Sequence, residues 1–187
     1  MSQEEQNFDP ELSPQEIAWG QEREDTDNIT DLLGKEVDNG IKEAVTAFRV
    51  YDFTTSQSCE GHIEEGDHGR PFPWVEIYTP EPEELAGAEG EEKAKIETRW
   101  THENLEQQQK MLVLLTEFYQ NRETPFDARL TFDRVGAFGG FSVQSFGGNI
   151  MKLLPPDVQR EKLTLYRKEM HDFTTFLKDK YFSEQQS

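Results

Sequence analysis

The segment at residues 53–63, FTTSQSCEGHI, is the part of the chain whose residue types best fit a chemical role. It contains the only cysteine, Cys59, and His62 follows three residues later, so a turn would bring the thiol and the imidazole together. A thiol whose proton an imidazole can accept serves as a nucleophile or a redox group. We therefore treat Cys59 and His62 as candidate catalytic residues, although the sequence identifies no third group to orient the histidine.

The segment also has the composition of a pocket for a polar or anionic small molecule. Its serine and threonine hydroxyls can orient a ligand, and the glycine between the cysteine and the histidine lets a ligand approach the backbone closely. An arginine just beyond the segment can pair with a carboxylate or a phosphate. The candidate ligand-binding residues are Thr55, Ser56, Ser58, Glu60, Gly61 and Arg70.

Zinc binding is a further interpretation, because Cys59 and His62 form a C-x-x-H pair and zinc takes sulfur and imidazole ligands readily. A structural zinc site needs four ligands. Two more ligands would have to come from His68, Asp67, Glu60 and Glu64 to complete this one. The remaining alternative is a purely structural role, in which the cysteine packs as a small apolar residue and the hydroxyls satisfy backbone groups. The sequence leaves these alternatives open and identifies no cofactor.

The run KEVDNGIKEAVTAF, followed by FTTSQSCEGHI, resembles the opening of the wybutosine-synthesising tRNA methyltransferase family, where an acidic helix leads into a T-T-S-S-C-S-G-R-I turn. Matched on the cysteine, the chain agrees with that turn at Thr55, Ser58, Cys59, Gly61 and Ile63. It differs at Ser56, Gln57 and Glu60, and His62 stands where the family has arginine. The resemblance implies an α/β domain that binds S-adenosylmethionine and methylates a modified guanosine of tRNA.

Acidic residues dominate the first part of the chain. The formal net charge is −19, and residues 1–40 hold twelve acidic and two basic residues, which is −10. Self-repulsion at this density, with few apolar residues to offset it, predicts an acidic disordered tail at residues 1–28. The charge argues against nucleic-acid binding, because phosphates attract a face rich in lysine and arginine. The acidic segments could instead engage a basic protein partner, so an interaction module without catalysis is an alternative function.

The remainder has the size of one domain, since domains run to roughly 100–200 residues. We predict a single domain at residues 29–183 and a short tail at residues 184–187. One cysteine excludes an intramolecular disulfide, so no oxidising compartment is indicated. The chain shows no signal-peptide pattern and no apolar run of membrane-spanning length, so we expect a cytoplasmic protein without a membrane partner.

Apolar spacing predicts the elements that position the segment. Three- and four-residue periodicity indicates helices at residues 35–50 and 101–121 and after the proline pair at 155–156, whereas WVEIY at 74–78 indicates a strand. Alternation on either side of GAFGG predicts a β-hairpin near residues 128–144, and the acidic stretch at 79–97 is predicted to be a mobile insert. The prediction is an α+β fold with about three helices and a small mixed sheet of three or more strands, in the order helix-strand-helix-strand-strand-helix.

Overall fold

The computed structural model describes residues 12–30, 34–63 and 69–183, which form four α-helices and one four-stranded sheet. The helices are α1 (Pro14–Asp27), α2 (Lys42–Val50), α3 (Gly90–Phe118) and α4 (Pro156–Ser183). The strands are β1 (Thr55–Cys59), β2 (Trp74–Ile77), β3 (Leu130–Val135) and β4 (Gly140–Ser145). Short 3-10 helices lie at Glu83–Leu85, Phe126–Ala128 and Phe146–Leu153. The α+β class is confirmed, whereas the number and order of elements differ from the prediction.

The sheet is antiparallel throughout its described strands, in the order β1-β2-β4-β3. The prediction of a mixed sheet is therefore wrong. The β3–β4 hairpin is confirmed, with Phe132 paired to Val143 across the two strands. Its turn uses Gly136 and Gly139 at φ of 62° and 79°, a backbone conformation that glycine adopts at no steric cost.

Two elements were missing from the predicted order. Residues 55–59, expected to be a turn because of their serines and threonines, form edge strand β1, whose backbone pairs with β2. Within the segment predicted as a disordered tail, residues 14–27 form α1, which starts at a capping box between Ser13 and Glu16. Trp19 of α1 is buried against Tyr181 and Phe182 of α4. The first eleven residues of that segment and the predicted tail at 184–187 lie outside the described residues.

Helix α3 begins eleven residues earlier than the predicted start at residue 101. Its first turns occupy residues 90–97, which were predicted to belong to a mobile acidic insert. Ile96 and Trp100 are both buried, and the Trp100 ring stacks between Tyr78 and Phe138 at centroid distances of 5.3 and 4.4 Å. Aromatic packing of this kind stabilises the early turns of the helix despite their acidic sequence.

The main core lies between the sheet and the helices. Apolar side chains from one face of β2 and β4 pack against α2, α3 and α4, and Phe48 of α2 meets Phe173 of α4 edge-on at the centre. Both rings are fully buried, and burial of each stabilises the fold by roughly 1.5–3 kcal/mol. The helix predicted after the proline pair is α4, whose Met170, Phe173 and Leu177 lie in this core at the expected three- and four-residue spacing. Among the described residues, no helix carries an apolar stretch long enough to cross a bilayer.

A second, smaller core supports the chain around Cys59. Its buried members are Cys59, Phe72, Trp74, Ala128, Met151, Leu163 and Tyr166. Gly61 is placed tightly here, with φ of 86° and no room for a side chain, because an added Cβ would lie 2.7 Å from the carbonyl carbon of Phe72. The turn that follows Cys59 is therefore held against α4 by close packing.

Candidate functional site

Cys59 is the last residue of β1, and the turn after it sets the position of His62. Cys59 is 5% exposed and pairs across the sheet with Trp74. The N–H of Gly61 donates to Sγ of Cys59 at 3.3 Å, and the N–H of His62 donates to the carbonyl of Arg70 at 3.0 Å. The chain passes so close to the thiol at Gly69 that an added Cβ there would lie 2.9 Å from Sγ. These contacts enclose the thiol.

Asp38 supplies the third group that the sequence alone does not identify. Its Oδ2 lies 2.9 Å from Nε2 of His62 and accepts the N–H of Glu60 at 3.3 Å. Its other oxygen, Oδ1, lies 3.3 Å from Nζ of Lys35. One ligand-type atom from each of Asp38, Cys59 and His62 lies within 4.8 Å of the others. We refer to these three residues as the Asp–Cys–His cluster.

Asp38 lies before α2 in the sequence Val-Asp-Asn-Gly, 24 residues from His62. The only local signal is the Asn-Gly turn, which indicates a change of chain direction but names no partner for the aspartate. The contact depends on β1 returning the chain to this turn. The two segments are in contact at Gly40, whose N–H donates to the Glu60 carboxylate at 2.6 Å.

The protonation states within the cluster favour a ligand role over an unassisted nucleophile. Burial raises the pKa of the Cys59 thiol, and the N–H of Gly61 offsets the increase only in part. Because the thiolate is the reactive form, a buried neutral thiol is a poor nucleophile even with His62 nearby. A bound metal ion reverses this preference, since a coordinating thiol loses its proton.

Asp38 is suited to be an anionic ligand. Burial raises the pKa of its carboxyl, but the hydrogen bonds from His62 and from the Glu60 N–H, together with the Lys35 ammonium, outweigh burial and leave the pKa below its usual value. The carboxylate is therefore ionised at neutral pH. Two of its contacts, to the Glu60 N–H and to Lys35, come from outside the cluster and hold its orientation.

The spacing of the cluster is close to that of a zinc site. Zinc bonds to sulfur, nitrogen and oxygen of about 2.0–2.3 Å in tetrahedral geometry separate the ligand atoms by roughly 3.3–3.7 Å. The His62–Asp38 distance of 2.9 Å is shorter than this, and the largest separation in the cluster is no more than 4.8 Å. Changes of about 1 Å or less in these separations would bring the three ligand atoms into the tetrahedral range.

Three of the predicted ligand-binding residues line a cavity of about 530 Å³ beside the cluster. Thr55, Ser56 and Ser58 of β1 line it together with Lys35 and Asp38, and we call it the hydroxyl cavity. The hydroxyl of Ser56 also donates to the Glu76 carboxylate at 2.7 Å. Asp38 thus belongs both to the cavity wall and to the Asp–Cys–His cluster.

The other three predicted ligand-binding residues lie elsewhere. Gly61 accepts a hydrogen bond from Arg167 at 2.6 Å through its carbonyl, and Glu60 lies 3.4 Å from the same guanidinium. Arg70 stacks over the Trp74 ring at 4.6 Å and donates to Gln144 at 3.0 Å. None of the three lines the hydroxyl cavity. The predicted alternative metal ligand His68, with Glu64 and Asp67, lies outside the described residues.

Comparison with known proteins returned no relationship: no family model, no curated protein and no solved structure matches the chain. A function for the chain must therefore be inferred from the geometry of the site.

Proposed function

We propose that this protein binds a divalent transition-metal ion, most naturally zinc, through Asp38, Cys59 and His62. The observation that carries the proposal is the convergence of a carboxylate, a thiol and an imidazole within 4.8 Å, from residues that are 21 and 24 positions apart from Asp38 in the chain. Zinc takes all three ligand types. A thiolate disfavours magnesium and calcium, which prefer oxygen ligands.

The surroundings of the cluster support the assignment. The Gly61 N–H would stabilise the Cys59 thiolate, and Lys35 and the Glu60 N–H would keep the Asp38 carboxylate oriented. These contacts fix the positions of Asp38 and of the turn that carries Cys59 and His62, so little chain ordering would accompany binding.

Three protein ligands leave one position of a tetrahedral ion for another group. Zinc sites with three protein ligands and a water are characteristic of catalysis, and the ion supplies a water of lowered pKa. The hydroxyl cavity beside Asp38 would admit a polar small molecule to such a site. If His68 instead provides the fourth ligand, the site is closed and structural.

Isothermal titration of metal-free protein with zinc chloride tests the proposal. We expect one zinc ion per chain in the wild type and a loss of affinity of tenfold or more in Cys59→Ser and in His62→Ala. His171→Ala is the matched control, because His171 is an exposed histidine on α4 outside the cluster, and its affinity should equal that of the wild type. Circular dichroism checks that each variant is folded.

Either of two outcomes overturns the proposal: no saturable zinc binding by the wild type, or equal binding by folded Cys59→Ser. His68→Ala then separates the two kinds of site, because only a closed four-ligand site loses affinity with that substitution. Binding should also release protons, since the Cys59 thiol starts protonated, so zinc affinity should rise with pH. Titration in two buffers of different ionisation enthalpy measures the release.

A further inference from the structure

A second cavity, of about 320 Å³, lies between residues 61–63 and α4. Arg160 and Arg167 both line it, together with the hydroxyl-bearing Thr164 and the apolar Leu163 and Ile63. None of the described residues that line it is acidic. In a chain with a net charge of −19, this cavity is lined by two guanidinium groups, of which Arg167 also lies 3.4 Å from the Glu60 carboxylate.

Helix geometry brings the two arginines to one face. Residues 160, 163, 164 and 167 are separated by three, four and seven positions, which places them on one stripe of α4. The rise of about 1.5 Å per residue separates the Cα atoms of Arg160 and Arg167 by roughly 10 Å. Arginine side chains are long enough to converge on one small ligand across that distance.

Arg167 is already fixed in place. Its Nε donates to the carbonyl of Glu60 at 2.9 Å, and its Nη2 donates to the carbonyl of Gly61 at 2.6 Å. The Glu60 carboxylate is more distant, at 3.4 Å, and its Oε2 accepts the Gly40 N–H. These bonds leave the donors on Nη1 of Arg167 for another acceptor, and the guanidinium loses little freedom when it binds one.

Arg160 differs from Arg167 in that its guanidinium makes no ion pair with any residue that the structure describes. It is exposed on α4, where its backbone carbonyl accepts the Thr164 hydroxyl at 3.0 Å. One arginine held by backbone carbonyls and a second with no carboxylate partner among the described residues can together receive an anion, because guanidinium binds carboxylate and phosphate in bidentate geometry.

We propose that this cavity binds the anionic group, a carboxylate or a phosphate, of a small molecule through Arg160 and Arg167. The volume is at the lower end of the roughly 300–1,000 Å³ of small-molecule sites, which fits a compact ligand. The proposal does not depend on metal binding, although His62 belongs both to this cavity and to the Asp–Cys–His cluster. A ligand here would therefore contact the turn that carries a metal ligand.

Titration of metal-free protein with inorganic phosphate, and separately with succinate, tests the proposal by NMR chemical-shift changes at constant ionic strength. Metal should be removed on a chelating resin, because a soluble polycarboxylate chelator would compete for the site. We expect saturable binding of at least one anion, with the largest shifts at residues 61–63 and 160–167. Saturation by phosphate alone identifies a phosphate ligand, and saturation by succinate alone identifies a carboxylate.

Variants make the test specific. Arg160→Gln should weaken anion binding by about tenfold, and Arg160→Lys should restore only part of it, because lysine cannot bind in the bidentate mode. Arg134→Gln is the control, since Arg134 is exposed in the hairpin outside this cavity, and should bind as the wild type does. The absence of saturable binding of both anions, or equal affinity in Arg160→Gln, overturns the proposal. Anion binding retained in Cys59→Ser separates this site from the metal site.

Discussion

Replacing Asp38 by asparagine should lower the free energy of unfolding of the metal-free protein by about 2 kcal/mol at pH 7. The carboxylate accepts hydrogen bonds from His62 and Glu60, and hydrogen bonds to charged groups contribute about 1.5–3 kcal/mol each. The Lys35 pair adds less than about 1 kcal/mol, because the lysine is exposed. Asparagine keeps one acceptor oxygen, which recovers part of the loss.

The pH dependence gives this prediction a second, independent part. The pKa of Asp38 is lower in the folded protein than in the unfolded chain, so its contribution to stability is complete above the unfolded value of about 3.9. The contribution is lost as the pH falls through the folded pKa. The difference between wild type and Asp38→Asn should therefore be about 2 kcal/mol at pH 7 and should shrink steadily below about pH 4.

Urea unfolding followed by circular dichroism measures both parts. In thermal unfolding, a loss of 2 kcal/mol corresponds to a fall in Tm of about 4–8 °C for a chain of this length. Asp133→Asn is the matched control and should change stability by less than about 0.5 kcal/mol, because among the described residues Asp133 accepts one exposed bond, from the neighbouring Arg134 N–H. The reasoning is refuted if Asp38→Asn unfolds at the wild-type urea midpoint at pH 7, or if the full difference persists at pH 3.

Three further substitutions test the scaffold by urea unfolding or proteolysis. Gly61→Ala should lower the free energy of unfolding by about 2–4 kcal/mol, because Gly61 has φ of 86° and an added Cβ would lie 2.7 Å from the Phe72 backbone. A urea midpoint equal to that of the wild type would contradict this. Glu169→Gln should lower the free energy of unfolding by about 2–3 kcal/mol, because this carboxylate is 3% exposed and pairs with Arg122 at 2.9 Å. An unchanged urea midpoint would contradict this. Trp19→Ala should release α1 and speed tryptic cleavage within it, whereas unchanged cleavage would show that docking does not depend on this ring.

The parts of the fold that the sequence predicted are those fixed by local periodicity. The stripe on α4 and the β3–β4 hairpin depend on residues close together in the chain, so three- and four-residue spacing or alternation was sufficient. Strand β1 could not be found in this way, because its serines and threonines favour turns and its extended form is stabilised by pairing with β2. The start of helix α1 could have been predicted from Ser13 and Glu16, which form a capping box. The acidic composition of the segment favoured a disordered tail instead.

The candidate site was partly predictable for the same reason. Cys59 and His62 are three residues apart, and their proximity follows from the turn at Gly61. Asp38 reaches them only because β1 returns the chain to the Asn-Gly turn before α2, a tertiary contact with no local pattern. In the sequence, Arg160 and Arg167 indicate only a solvated helix face. The cavity forms because residues 61–63 pack against that face of α4.

Cobalt(II) absorption tests the central claim most directly, because a cobalt–thiolate bond produces a charge-transfer band in the near ultraviolet that no other ligand in the cluster supplies. Titration of the metal-free protein should develop this band and saturate at one cobalt ion per chain. Zinc should displace the cobalt and abolish the band, and folded Cys59→Ser should never show it. A wild-type protein that binds no cobalt, or whose cobalt spectrum is the same in Cys59→Ser, would contradict a metal site at Asp38, Cys59 and His62.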